Sequence, residues 1–238
     1  MHDAILAELA PTGVLRAGIN LSNFLLVTGR EPNGDPVGVA PDMARAIADR
    51  LGVPLQLVPF PSPGLLADAA GQGIWDIGLI GAEPARAETI DFTPAYAEIE
   101  ATYLVPAGSP LKTWAEVDQP GIRIAVSGRS AYGLWLTANL KHAELIRADG
   151  LGDATALFLS AKLDALAGLR PGLLADIENI PGATILDGRF TAVQQAVGIA
   201  KGNHDGRQFL KDFVADAKTT GLVTSLISRH HVQGLSAA

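Results

Sequence analysis

WDIGLIGAEPARAETIDFTPAY, residues 75–96, sets a largely apolar run against a turn rich in Ala, Pro and Gly. WDIGLIG (75–81) has the length and, past Asp76, the hydrophobicity of a buried strand. The turn after it holds one arginine, Arg86, just before the compact run IDFTPAY. A lone arginine there is either a solvated turn residue pairing with Glu88 or Asp91, or the clamp of an anion site. A guanidinium suits the second task because its two parallel N–H donors match two carboxylate oxygens.

The segments around this stretch alternate strand and helix. VLRAGI (14–19) is a short apolar strand ending at Asn20. PDMARAIADRLG (41–52) has Met43, Ile47 and Leu51 at helical spacing, with Gly52 as its stop. LQLVPF (55–60) is the next strand, and 64–72 a short helix. This rhythm predicts parallel β–α–β units with right-handed crossovers. ATYLVPAGSP (101–110) begins a second set. IRIAV (122–126) is a strand, followed by a helix capped by Ser130 with Leu134, Trp135 and Ala138 on its apolar face. ELIRA (144–148), LDALAG (163–168) and ATILD (183–187) read as strands, with a helix opened by Asp153. AVQQAVGIA (192–200) runs back as an extended segment. DGRQFLKDFVADAKTTG (205–221) reads as a helix capped by Asp205, ended by Gly221, with Phe209, Phe213 and Ala217 on one face. Two α/β units with no linker between them predict a ligand site at C-terminal strand ends and helix N-termini.

The chain has 238 residues, 48% hydrophobic and 18% charged, which suits a well-packed protein and argues against disorder. A net charge of −7 opposes nucleic-acid binding. Without cysteine, disulfides and thiolate metal sites are excluded. His230 and His231 are adjacent, so they cannot chelate at i, i+4 spacing, and they read as surface residues. No phosphate-binding or nucleophile-elbow motif is present, and no metal, cofactor or catalytic residue is expected. No apolar run nears the roughly 18 residues of a membrane span. MHDAILAELAPTG lacks the basic and apolar regions of a signal peptide, so a complete chain of this sequence would stay in the cytoplasm.

Taken in order, GVLRAGIN, GVAPDMARAIADRLGVPLQLVPF, WDIGLIGAEPARAETIDFTPAY, RIAVSGRSAYGLWL and KLDALAG resemble the extracellular solute-binding proteins of family 3, the amino-acid-type binding components of ABC importers. The resemblance runs from about Gly13 to Gly221. It implies a two-lobe Venus flytrap, the periplasmic binding protein-like II fold, with each lobe a mixed sheet flanked by helices. Lobe 1 would be 1–97 plus 195–238, lobe 2 101–191, and the hinge strands near 98–101 and 191–194.

The resemblance gives Arg86 the role of carboxylate clamp, with the backbone of Gly81 and Ala82 at the ligand's polar end. The span from Asp76 to Arg86 is two residues shorter than the family's usual one. Ser130 falls where the family has a helix-start hydroxyl facing the ligand, with Arg129 and Tyr132 beside it. Asn20, Asn23 and Phe24 follow the first strand at the pocket mouth, where the family often has aromatics. The family's acid for a ligand ammonium is missing after KLDALAG: the sequence there reads Gly168-Leu169-Arg170, so Arg170 joins the candidates. Either Glu100 or Asp187 replaces that acid, or the ligand has no amine, which is slightly favoured. The implied function is capture of a small carboxylate-bearing solute in an interlobe cleft by a periplasmic monomer serving an ABC permease. The alternatives are a cyclohexadienyl dehydratase-like enzyme using Glu100 as its acid, and an intracellular small-molecule sensor.

Overall fold

The computed structural model describes residues 2–238. The chain divides into two compact units: unit 1 holds the chain up to Glu98 and from Gln194 onward, and unit 2 is Ile99–Val193. The elements, in chain order, are α1 (His2–Leu9), β1 (Leu15–Asn20), β2 (Gly29–Arg30), β3 (Pro36–Val37), α2 (Val39–Leu51), β4 (Leu55–Phe60), α3 (Pro63–Asp68), β5 (Ile77–Gly81), β6 (Ile90–Phe92) and β7 (Ala97–Val105). They continue with β8 (Arg123–Ser127), α4 (Ala131–Asn139), β9 (Glu144–Ala148), α5 (Leu151–Ser160), β10 (Ala165–Leu169), α6 (Arg170–Asp176), β11 (Thr184–Ile185), β12 (Thr191–Ala200), α7 (His204–Thr219), α8 (Leu222–Arg229) and β13 (Ser236–Ala237).

In unit 1, β1 lies between β4 and β5 and is parallel to both, with Asn20 opposite Phe60 and Ile19 opposite Leu79. β12 runs antiparallel on β5 and places Gln195 opposite Gly81. The C-terminal ends of β1, β4 and β5 therefore share one edge of the sheet. Their N-terminal ends are braced by Asp76, whose carboxylate accepts hydrogen bonds from the backbone N–H and the guanidinium of Arg16.

Helix α2 begins two residues ahead of the sequence expectation because Gly38 sets its start. Gly38 has φ 149°, and a Cβ there would lie 2.3 Å from the Leu26 carbonyl oxygen. Pro41 is tolerated in the first turn, where backbone N–H groups have no intrahelical partner. Met43, Ile47 and Leu51 are buried as their spacing requires, and Gly52 closes the helix in the left-handed conformation. Trp75 packs over the strand glycines and donates its indole N–H to the Leu66 carbonyl at 3.0 Å.

In unit 2, β8 is parallel to β9 and β10, and β10 is antiparallel to β7. Phe190 is central to its core, 4.7 Å from the ring of Tyr103 and 5.5 Å from that of Trp135. The apolar face of α4 differs from expectation. Ala131, Tyr132 and Leu136 are buried, while Ala138 is exposed and Trp135 only half-buried. The helix is rotated because Gly133 presses against β8: a Cβ there would lie 2.7 Å from the Ser127 carbonyl oxygen.

Two further expectations are corrected. Asp205 lies within the first turn of α7, and Asn203 precedes the helix. The buried face of α7 is Gly206, Leu210, Phe213, Val214 and Ala217, with Phe209 half-buried, because α7 packs on α1. Glu8 of α1 accepts the Gly206 N–H at 2.7 Å. His230 is not a solvated surface residue: its Nε2 lies 2.8 Å from Asp42 Oδ2, which ties the end of α8 to α2.

Candidate functional site

At the C-terminal edge of the unit 1 sheet, β5 ends at Gly81 and the chain turns at once. The Glu83 carbonyl accepts the N–H groups of Arg86 at 3.0 Å and Ala87 at 2.9 Å, which closes the turn. A short 3₁₀ turn, Arg86–Glu88, follows. Arg86 is 5% exposed, and its Nη1 donates to the Gly81 carbonyl at 2.7 Å. The guanidinium thus folds back over the end of β5, while Glu88 faces solvent. Ala82 is fixed by its N–H to the Gln194 carbonyl at 2.7 Å. Gln195, opposite Gly81, is 2% exposed.

Glu83 lies in the same turn and is 8% exposed. Burial pushes its carboxyl up to about 7, and the Arg86 charge pulls it back only in part. The sequence reading missed this residue. The available signal was an acid three positions before the arginine in a shortened turn, but sequence alone does not show that such an acid is buried.

The other unit 1 candidates serve mainly their own loop. Asn20 ends β1, and its Oδ1 accepts the N–H and hydroxyl of Ser22 at 3.1 and 2.8 Å. Asn23 is buried with its Oδ1 on the Leu25 N–H at 3.2 Å, an Asx-type turn. Phe24 is 44% exposed.

In unit 2, Ser130 caps α4 by accepting the Gly133 N–H at 3.0 Å, and its hydroxyl donates to the Ser127 carbonyl at 2.7 Å. Arg129 is exposed and holds φ at 60°, a left-handed conformation unusual for a non-glycine residue. Tyr132 is a core residue, 3% exposed, and burial pushes its hydroxyl up to about 12. Arg170 donates from Nε to Glu100 at 2.9 Å and also reaches the Gly188 carbonyl. Glu100 contacts Arg189 as well, at 3.5 Å. Asp187 is exposed.

Gly81, Ala82 and Arg86, with Asn20, thus gather on the carboxyl edge of the unit 1 sheet. Ser130, Arg129 and Arg170 follow the C-terminal ends of β8 and β10, which are parallel neighbours in unit 2. Arg86 brings a cation to the unit 1 edge, and the Ser130 turn offers polar groups in unit 2. Among the described residues no group of three or more His, Cys, Asp or Glu side chains could hold a metal ion, and no helix is long and apolar enough to cross a membrane.

No curated protein sequence matches the chain. Solved structures do. A mutant of ArgBP from T. maritima is 21% identical, with 97% of this chain and 100% of that one covered and a TM-score of 0.75. A putative binding component of an ABC transporter from Wolinella succinogenes, complexed with lysine, is 24% identical, with coverage of 92% and 95% and a TM-score of 0.74. An ancestral amino acid-binding protein described as a precursor of cyclohexadienyl dehydratase is 22% identical, with coverage of 94% and 98% and a TM-score of 0.73. At these identities the likeness establishes the α/β fold of these binding proteins. The sequence adds the family itself: its profile matches residues 18–233, and the chain belongs to the bacterial extracellular solute-binding proteins, family 3.

Proposed function

We propose that the chain captures a small carboxylate-bearing solute, an amino acid or related organic anion, and presents it to an ABC permease on the outer side of the bacterial membrane. The observation that carries this reading is the buried Arg86 guanidinium, folded over the end of β5 at the carboxyl edge of the unit 1 sheet. Ligands of α/β sheets collect at this edge. Each charge-assisted hydrogen bond to a carboxylate contributes roughly 1.5–3 kcal/mol. Two such bonds are a substantial part of the roughly −8 kcal/mol that corresponds to micromolar affinity. In this reading the protein works as a monomer, the two units are the lobes, and the stretches at 98–101 and 191–194 are the hinges. The catalytic alternative depends on Glu100, whose carboxylate is already engaged by Arg170 and Arg189.

A thermal-shift screen of the parent and of Arg86→Ala against amino acids, dicarboxylates, keto acids and aromatic carboxylates tests this. The parent is expected to be stabilised by at least one carboxylate. Arg86→Ala is expected to bind that ligand at least about 100-fold more weakly, the loss of two charge-assisted bonds. A variant that is stabilised as much as the parent would remove Arg86 from the site.

A further inference from the structure

We propose that Glu83 is a ligand-contacting, specificity-determining residue, whose buried carboxylate receives the ammonium of a solute held through its own carboxylate by Arg86. The proposal rests on the solute-binding reading above and narrows its ligand to α-amino acids or molecules with the same paired charges.

The placement comes first. Glu83 and Arg86 leave one turn, closed by the bonds from the Arg86 and Ala87 N–H groups to the Glu83 carbonyl. Both residues are more than nine-tenths buried. Two opposite charges anchored three residues apart form a dipolar receptor, and a zwitterion with adjacent carboxylate and ammonium is its complement.

The partners of the other acids point the same way. Two carboxylates are buried in the chain among the described residues, those of Asp76 and Glu83. Asp76 is saturated by Arg16, which supplies backbone and guanidinium donors to both of its oxygens. Among the described residues no donor meets the Glu83 carboxylate, and its oxygens keep access to solvent. Burial raises its titration and the charge of Arg86 lowers it. A carboxylate largely withdrawn from water without donors is costly, and folding alone gives little reason to keep one there. A ligand that brings an ammonium offsets that cost when it binds. The acids that sequence reading offered for this task are otherwise placed: Glu100 is shared by two arginines, and Asp187 is exposed.

The turn itself leaves room. Gly81 has no side chain, and Gln195, opposite it on β12, adds a buried amide at the same sheet edge. An amide can both donate and accept, so it is compatible with either end of a zwitterion.

The test is isothermal titration of the parent, Glu83→Gln and Arg86→Ala. The probes are the protein amino acids, the 2-hydroxy acid matching each amino acid bound, and an amine-free set of lactate, succinate, 2-oxoglutarate and benzoate. Glu83→Gln keeps the shape and removes the charge, and its melting point shows that it folds. The parent is expected to bind at least one amino acid at least 10-fold more tightly than the matched 2-hydroxy acid. Glu83→Gln is expected to erase that preference, losing at least 10-fold for the amino acid and less than about 3-fold for the 2-hydroxy acid. Arg86→Ala is expected to lose both ligands. An amino acid bound equally well by the parent and Glu83→Gln overturns the role of Glu83 and leaves the receptor reading standing. Binding confined to amine-free acids does the same. A parent that binds no probe overturns the receptor reading and this proposal with it.

Discussion

Glu83 titrates near neutrality because burial opposes its charge more strongly than Arg86 supports it. Its folded value, about 7, lies above its ordinary 4.5. Between those values the native chain keeps a proton that the unfolded chain has released. Stability from this group is therefore present at low pH and is lost as pH rises from 4.5 through 7. Glu83→Gln has no such proton to lose, so its stability relative to the parent should increase from pH 5 to pH 8 in urea denaturation. Ligand binding carries a second sign. An ammonium partner favours ionised Glu83, so binding releases a proton and affinity rises with pH between 6 and 8. An amine-free carboxylate would disfavour the ionised form and make affinity fall over the same range. Dissociation constants at pH 6, 7 and 8 separate the two cases. At this scale the sequence was partly legible. Arg86 was readable as a candidate through the resemblance, since residue type and spacing alone left a solvated turn residue open. Glu83 was not, because its low exposure depends on how the shortened turn folds back over β5.

The β1 and β5 strands carry a stabilising brace at one end and, in the proposed reading, the binding edge at the other. At their N-terminal ends, Asp76 takes the Arg16 N–H at 2.8 Å and returns its own N–H to the Arg16 carbonyl at 2.8 Å. Its side chain is 4% exposed and that of Arg16 19%. Asp76→Ala leaves Arg16 without its counter-charge and should cost about 3 kcal/mol of stability, while ligand affinity stays within about twofold of the parent. Denaturation and titration of the same variant check both halves; a large affinity loss would mean that the brace also shapes the opposite edge. In unit 2 the helix start at Ser130 is predicted to behave differently. Ser130→Ala removes the acceptor for the Gly133 N–H and should cost about 1 kcal/mol by the same denaturation measurement. Element types followed well from the sequence because apolar spacing and glycine stops are local properties. The phase of α4 did not, since it depends on Gly133 meeting the Ser127 carbonyl across the fold. The role of His230 also escaped, because its partner Asp42 is 188 positions away in the chain.

At the scale of the whole molecule, the chain passes between its two units once within β7 and once within β12, so unit 1 is built from both ends of the sequence. The Arg86 turn belongs to unit 1, and so does Gln195, which lies opposite Gly81 only because the chain has returned. The proposed site is therefore complete only when chain segments from before and after unit 2 have come together. A ligand of this site binds the native fold and has no counterpart on the unfolded chain, so it must raise the melting point by mass action. At 100 times its dissociation constant, a ligand contributes about 2.7 kcal/mol. For a chain of this size each kcal/mol is worth roughly 2–4 °C, which gives a shift of about 5–11 °C. Asp76→Ala should melt lower than the parent yet show the full shift, because its defect lies away from the site. Arg86→Ala should lose the shift at the same ligand concentration, whatever its own melting point. The two variants thus separate a baseline that depends on packing from an increment that depends on binding. If the increment survived in Arg86→Ala and vanished in Asp76→Ala, the N-terminal edge of the sheet would be the binding end and the assignment of the two edges would be reversed.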